Sequence, residues 1–396
     1  MILIDFTILL VTSYFAFSAL YIAINSIAGL FYKNSEIVSH GKLPRVAVFI
    51  PAYKEDAVIV KVAHEALRQE YAGDYEVVVI SDSLKEVTNS WLQELPLSFV
   101  RVDFKNSTKA KALNYALNLM GDAYDLAIVL DADNVMEKDV VNKFAKQYMS
   151  GRKAIQGHRC AKNTNSKFAL LDAISEEVNN HIYCQGPDVL KLSSRLVGSG
   201  MAFDYKMFKN LMNGIEAVGG FDKALELKII EQNVRIHYAD DIVIYDEKVE
   251  KAEVFGNQRT RWISAQYHYM VKSMPTALKL LFKGNFDYFY KALQLCLPPR
   301  LLFPGFLAIG SLVFLGLGQE GLCLFWIGMF LLVVINYLIA IPSSLISKKL
   351  ISIPFALIHA FVITFLSLFK LFGANKKFIH TPHSGLEISE NANTKV

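Results

Sequence analysis

Cysteine is scarce in this chain: four residues in 396, at positions 160, 184, 296 and 323, with no paired spacing. A disulfide framework and a cysteine zinc site are therefore not expected, and a reducing compartment fits. A strong charge of either sign is also lacking. The net charge is +4, and the basic residues gather beside apolar segments instead of forming a stripe interleaved with aromatics. That distribution argues against nucleic acid and for a membrane surface as partner. No internal repeat is visible. Charge is missing altogether from Phe6–Tyr32, Leu301–Gly318 and Gly321–Ser347, in a chain that is 53% hydrophobic. Each run is close to the roughly 20 residues that cross a hydrocarbon core as a helix. Between them, from about Lys33 to Arg300, charge is ordinary and hydrophobic runs are short, the mark of a globular domain.

A cleaved signal peptide is the competing reading of the N-terminus. The stretch lacks a positive leading region and a small-x-small cleavage site, and its apolar part is too long, so an anchor is expected. Only Asp5 precedes it, whereas Lys33, His40, Lys42 and Arg45 follow. By the positive-inside rule this places the middle domain in the cytoplasm of a multi-pass inner (plasma) membrane protein.

In the middle domain, RVAVFI (Arg45–Ile50), YEVVVI (Tyr75–Ile80) and DLAIVL (Asp125–Leu130) read as buried strands, with helices over Asp56–Glu70 and Thr108–Met120. Near-continuous apolar strands alternating with helices imply a parallel sheet covered on both faces. Ligands of such sheets sit beyond the carboxyl ends of the strands. Those ends carry PAYKED, SDS and DADN, so the expected site comprises Pro51 to Asp56, Asp82 and Asp131 to Asn134.

Asp131 and Asp133 leave a strand one residue apart, which lets both carboxylates face one small volume. That spacing suits a hard divalent cation sharing its shell with diphosphate oxygens and water. On its own an Asp-x-Asp is as readily a turn. Taken with its company the run says more. PAYKE at 51–55, Asp82, KAKALN at 109–114, DAD at 131–133, GSG at 198–200 and QRTRW at 258–262 resemble, in order and spacing over Pro44–Trp262, the processive family 2 glycosyltransferases: the cellulose, chitin, hyaluronan and poly-N-acetylglucosamine synthases.

The resemblance implies an α/β GT-A fold, Rossmann-like with a mostly parallel sheet, flanked by transmembrane and interfacial helices. It implies that Pro51, Ala52, Tyr53 and Glu55 line the base and ribose pocket, that Asp82 contacts the nucleobase and that Lys109 sits near the diphosphate. Asp131 would contact the nucleotide and Asp133 would bind the metal, Mg2+ or Mn2+. Gly198, Ser199 and Gly200 would lie by the acceptor sugar, where glycines permit close backbone approach. Gln258, Arg261 and Trp262 would hold diphosphate and acceptor; the arginine fork matches phosphate geometry. A pair at a helix start on the membrane surface is the plainer reading of Arg261 and Trp262.

The Glu-Asp pair that the family shows before a helix is missing. In GGFDKALELKIIEQ, family spacing puts Asp222 at the base position with Phe221 replacing the Glu, and Glu226 one turn later as the reserve. A carboxylate within hydrogen-bond reach of the acceptor hydroxyl suffices as the base. A helix cap is the alternative role for Asp222. His158, His181 and His237 have no ligand spacing and read as ordinary domain histidines.

The expected organisation is an anchor helix over 1–33, the catalytic domain over 34–262, amphipathic interface helices over 263–300, transmembrane or interfacial helices over 301–373, and a tail over 374–396. Lys272, Lys279, Lys283 and Lys291 are expected at lipid headgroups. The tail run FIHTPH resembles the family's gating loop in Phe378, Thr381 and His383, which favours a cytoplasmic tail and an interfacial or re-entrant helix at 351–373. Expected partners are a nucleotide-sugar donor, read as a UDP-sugar, a polysaccharide or lipid-linked acceptor, and membrane lipids; a homo-oligomer stays open. Processive polymer synthesis and a single addition onto a polyprenyl-linked acceptor are the two enzyme readings. A non-catalytic sugar-binding membrane protein, a transporter and a glycosidase are the others. The apparent spans lack the buried charges of a transporter, and a hydrolase has no need of a diphosphate clamp.

Overall fold

The computed structural model describes residues 2–34, 41–217, 219–346 and 353–370. Thr381 and the FIHTPH run lie outside the described residues. The centre of the molecule is one sheet built from β1 (Val46–Tyr53), β2 (Tyr75–Asp82), β3 (Ser98–Val102), β4 (Leu126–Val129), β5 (Val135–Met136), β6 (Ala154–Ala161), β7 (Met201–Asp204) and β8 (His237–Asp246). Their spatial order is β3-β2-β1-β4-β7-β6-β8-β5.

The first half is parallel: β1 pairs with β2 and β4, and β2 with β3. The second half is mixed. β7 runs antiparallel to β4 and β6, β8 is parallel to β6, and β5 is antiparallel to β8. The sheet is therefore wholly parallel in one half and mixed in the other, where sequence leads one to expect a mostly parallel sheet. The reason is local: β6 and β8 carry Gln156, His158, Arg159, Asp240, Asp241 and Asp246, so they lack the apolar continuity that marks β1, β2 and β4.

Alternation along β1 divides the core. Ala47 and Phe49 join Val78, Ile80, Leu113 and Phe203 on one face; Val46, Val48 and Ile50 join Val77, Val79, Ile59 and Phe144 on the other. The helix Lys109–Leu119 begins where the Thr108 hydroxyl accepts the Lys111 N–H, at 3.2 Å. Its alanines let it lie close on the sheet, with Ala110, Ala112 and Ala116 buried.

The helix Ala252–Leu281 starts six residues ahead of Gln258 and runs on without a break through QRTRW. The boundary expected after Trp262 thus falls inside one helix. Its Tyr269 and Ala277 belong to the same core as Ala47 and Phe49, and Gly256 lies against Ile363 of the helix Ile353–Leu368. Of the four lysines expected at headgroups, Lys272, Lys279 and Lys283 are exposed, but Lys291 is fully buried, 3.5 Å from Glu226.

Leu3–Gly29 and Glu320–Ile339 are long and apolar enough to cross a membrane; Phe303–Gly316 and Ala356–Leu368 are apolar but shorter. Ile22, Phe303, Trp326 and Val333, with Phe15 packed against them, form a core shared by the first three of these helices. Large apolar side chains on their outer faces stay uncovered, Leu312 at 67% and Leu324 at 69% exposure among them. The first helix is tied to the remainder by polar contacts: Trp326 Nε1 donates to Thr12 Oγ1 at 3.2 Å, Tyr14 donates to the Cys296 carbonyl at 2.8 Å, and His181 Nε2 lies 2.9 Å from the Ser26 carbonyl.

Candidate active site

The carboxyl ends of β1, β2 and β4 open on a cleft of about 310 Å3. Twelve of the residues singled out in the sequence line it: Pro51, Ala52, Tyr53, Glu55, Asp82, Lys109, Asp131, Asp133, Asp222, Gln258, Arg261 and Trp262. The register explains the first few. Tyr53 of β1 pairs with Asp82 of β2, so the two strand ends stop level. Directly beyond them Lys54 and Ser83 hold φ of 57° and 59°, a left-handed conformation that side chains rarely adopt and that concentrates at functional edges. Burial raises the Asp82 carboxyl, with the Ser107 and Ser83 hydroxyls opposing; Ser107 Oγ donates to Asp82 Oδ1 at 2.9 Å.

Asp131 and Asp133 face different partners. Asp133 is buried, and its Oδ2 accepts the Glu247 N–H at 3.0 Å while Oδ1 accepts from Asn134 Nδ2 at 3.3 Å. Asp131 is more open, is ion-paired with Lys109, and lies 3.8 Å from Arg159. Burial lowers the Arg261 guanidinium, with Asp131 opposing. Among the described residues no three His, Cys, Asp or Glu side chains form a group able to hold a metal ion. Two neighbouring carboxylates with hard oxygen donors remain, a set that fits an ion completing its shell from diphosphate and water.

Gly198, Ser199 and Gly200 do not line the cleft; they support it. The Asp131 N–H donates to Ser199 Oγ at 2.8 Å, and the Ser199 hydroxyl in turn donates to Asn134. Gly198 has φ of 91°, and a Cβ there would stand 3.9 Å from Asp222 Cβ, so the loop runs beside the candidate base. The Lys109 ammonium donates to the Gly198 carbonyl at 2.7 Å.

Asp222 sits in the first turn of the helix Phe221–Glu231, whose N-cap is Gly220 in the left-handed conformation (φ 69°). The cap role is therefore taken by Gly220, and the Asp222 carboxylate turns to the cleft, 3.2 Å from Lys223 Nζ. Glu226 does not share the cleft. It is buried, its Oε2 accepts the Leu196 N–H at 2.7 Å, and its Oε1 faces Lys291. Those internal partners favour Asp222 over Glu226 as the candidate base. On QRTRW, Gln258, Arg261 and Trp262 line the cleft, and Gln258 Oε1 is enclosed without a hydrogen-bond partner among the described residues. An enclosed unpartnered acceptor beside a cleft marks a place for a ligand donor.

Sequence reasoning missed the charges under the cleft. Arg159 of β6 pairs with Asp246 at 2.6 Å and Glu176 at 3.2 Å, and Lys248 pairs with Asp246 at 3.4 Å and Glu176 at 3.1 Å. Although burial opposes it, Arg159 and Lys248 hold the Glu176 carboxyl well below the usual carboxylate range. Burial raises Asp246, with Arg159 and Lys248 opposing. These residues come from β6, the helix Lys167–Asn179 and the end of β8, so no local motif joins them. The signal that could have found them was the strand-end run YDEK at 245–248.

A model of the family described as Glycosyltransferase like family 2 matches residues 44–265, more than half of the chain. The chain belongs to this family. Among the relatives of this family 2 glycosyltransferase, the probable glycosyltransferase YdaM of Bacillus subtilis is 24% identical over 269 residues, 63% of this chain and 62% of that protein. The beta-monoglucosyldiacylglycerol synthase of Trichormus variabilis is 25% identical over 245 residues, 57% of this chain and 50% of that one. The chain thus spans about half to two thirds of the length of the curated relatives it matches. Among solved structures, the mannosyltransferase PcManGT from Pyrobaculum calidifontis, in complex with GDP-Man and Mn2+, superposes with a TM-score of 0.52 at 18% identity. It covers 84% of this family 2 glycosyltransferase and 97% of its own chain, a likeness of fold.

Proposed function

We propose that the protein is a membrane-held inverting glycosyltransferase that moves a sugar from a nucleoside-diphosphate sugar to an acceptor at the cytoplasmic membrane face. The observation that carries this reading is the gathering of Asp82, Lys109, Asp131, Asp133, Asp222, Gln258, Arg261 and Trp262 on one cleft. Tyr53 and Asp82 receive the base and ribose; Lys109, Gln258 and Arg261 bind the diphosphate. Asp131 and Asp133 would hold the Mg2+ or Mn2+, which supplies charge neutralisation to the leaving diphosphate. The ligands of PcManGT in its complex, GDP-Man and Mn2+, support a nucleotide-sugar donor and a divalent ion.

The chemical step needs one base. The acceptor oxygen attacks the anomeric carbon, its proton passes to Asp222, and the bond from that carbon to the diphosphate oxygen breaks, releasing the nucleoside diphosphate. Trp262 offers the acceptor an apolar face at the cleft's edge.

A single addition onto a lipid-linked acceptor fits better than processive growth. Beyond Trp262 lies a second cavity of about 80 Å3, roughly a quarter of the donor cleft, walled by Pro298, Pro299, Leu301 and Thr364. That space suits an acceptor headgroup more than the track of a polymer. The lipid acceptor in the name of the Trichormus variabilis relative supports the same reading. The experiment is incubation of the purified full chain in lipid with radiolabelled nucleotide-sugars, followed by separation of products by length. A product one sugar longer than the acceptor is expected; a ladder of long products contradicts single addition.

A further inference from the structure

The second cavity shares Arg195, Lys223, Trp262 and Arg300 with the donor cleft and adds Arg259 and Glu226 to its charged lining. Most of those charges are settled within the protein. Lys223 pairs with Asp222, Arg259 with Asp172, and Glu226 with the Leu196 N–H and Lys291. Arg195 and Arg300 are not. Among the described residues neither has an ion-pair partner; Arg195 Nη1 donates to Asn179 Oδ1 at 3.0 Å and Arg300 Nη1 to the Ser175 carbonyl at 2.9 Å.

Both guanidiniums instead lie on one aromatic ring, 5.8 Å and 5.7 Å from the Tyr183 centroid. Aromatic support fixes a cation while leaving its remaining N–H groups for a ligand. Burial and the neighbouring Arg195 push the Arg300 guanidinium down, to about 10, with Tyr183 opposing and Arg259 adding to it. An anion in the cavity relieves that repulsion. The cavity also holds polar atoms with nothing to bind. Gln294 and Thr364 are more than nine-tenths buried, and Gln294 Nε2, Thr364 Oγ1 and Arg259 Nε have no hydrogen-bond partner among the described residues. Buried donors left unpaired are costly, which points to a ligand rather than to packing.

We propose that this cavity seats an anionic phosphate belonging to the acceptor, held by Arg195 and Arg300 with donors from Gln294 and Thr364, so that the acceptor is a phosphorylated molecule. The inference rests on the transfer reading above and names its acceptor class. Trp262, common to both cavities, stands where the acceptor passes from its phosphate seat to the donor cleft. The flanking Leu295, Leu297 and Leu301 give a phosphate on a lipid an apolar path.

The test uses the full chain in phosphatidylcholine nanodiscs, with the donor site first saturated by UDP or GDP and Mn2+, whichever nucleotide binds. Dodecyl phosphate, glucose 1-phosphate and dodecanol are then titrated by calorimetry. Dodecyl phosphate is expected to bind at saturating nucleotide and dodecanol not to bind, and the Arg195→Gln/Arg300→Gln double variant is expected to weaken dodecyl phosphate at least tenfold. Tighter binding of dodecyl phosphate than of glucose 1-phosphate assigns the phosphate to a lipid; the reverse assigns it to a glycan; both support the site. Equal binding of dodecanol, absence of phosphate binding, or complete displacement of phosphate by the nucleotide overturns the proposal while leaving the transferase intact. Failure of either nucleotide to bind contradicts the transferase reading, and the proposal falls with it.

Discussion

The Lys109 ammonium donates a 2.7 Å hydrogen bond to the carbonyl of Gly198, 89 residues further along the chain. The same ammonium is ion-paired with Asp131 and lies 5.3 Å from the centroid of the Phe221 ring. One cation thereby ties together the end of β4, the glycine loop and the first turn of the helix that carries Asp222. The role proposed for it at the diphosphate and its hold on the helix that carries the candidate base would be two consequences of one geometry.

Replacing Lys109 with methionine removes both. Because a preorganised charge aimed at a leaving group is commonly worth about 100- to 1,000-fold in turnover, Lys109→Met is expected to lower kcat by that order. Steady-state kinetics at saturating donor checks this, and a change confined to KM contradicts it.

Asp222 and Glu226 separate cleanly. Asp222→Asn is expected to reduce transfer by about 100- to 10,000-fold, the range of general base catalysis, with nucleotide-sugar binding retained. Glu226→Gln is expected to act on folding. It leaves Lys291 buried without its carboxylate, a loss of about 3–5 kcal/mol for a broken buried pair. Thermal unfolding and turnover, measured on both variants, distinguish the roles. Lost turnover at unchanged stability in Glu226→Gln would move the base there.

The charge cluster under the cleft gives a second stability prediction. Arg159 is shared by Asp246 and Glu176 in a buried setting. Arg159→Met leaves two buried carboxylates with Lys248 alone, and a destabilisation of about 3–5 kcal/mol is expected. A Tm equal to that of the parent protein contradicts it.

His237 sets a pH dependence. Burial, with Arg235 and Arg152 adding to it, pushes its imidazole down from the ordinary value to about 4. A depressed folded value means that the neutral ring's contribution is complete above about 6.5, the ordinary histidine value, and is lost as pH falls through about 4. Stability is therefore expected to decline between those limits, and His237→Gln to flatten that part of the profile. Denaturation midpoints measured at intervals across the window check the slope; an unaltered slope in the variant sinks the assignment.

What the sequence discloses follows its local grammar. β1, β2 and β4 are apolar and β-branched and end in polar residues, so strand, strand end and cleft are readable from YEVVVISD and its counterparts alone. Lys109 and QRTRW are readable as motif pieces, although the uninterrupted helix around QRTRW is not, since Gly256 and Asn257, both poor helix formers, stand just ahead of it. Arg159, Glu176 and Asp246 stay hidden because their significance lies in pairing across distant strands. Glu226 is hard to read for the converse reason. Helical spacing puts it one turn from Asp222, but only tertiary packing reveals that Leu196 and Lys291 have already claimed it.

The most direct measurement of the central claim is nucleoside diphosphate release from a panel of nucleotide-sugars by the purified full chain, with and without Mg2+ or Mn2+, in parent, Asp133→Asn and Asp222→Asn proteins. The account predicts release from at least one donor, dependent on the divalent ion, abolished in Asp133→Asn and lowered by about 100- to 10,000-fold in Asp222→Asn, while that variant still binds the donor. Release that persists in both variants, or proceeds equally well in excess chelator, would contradict it.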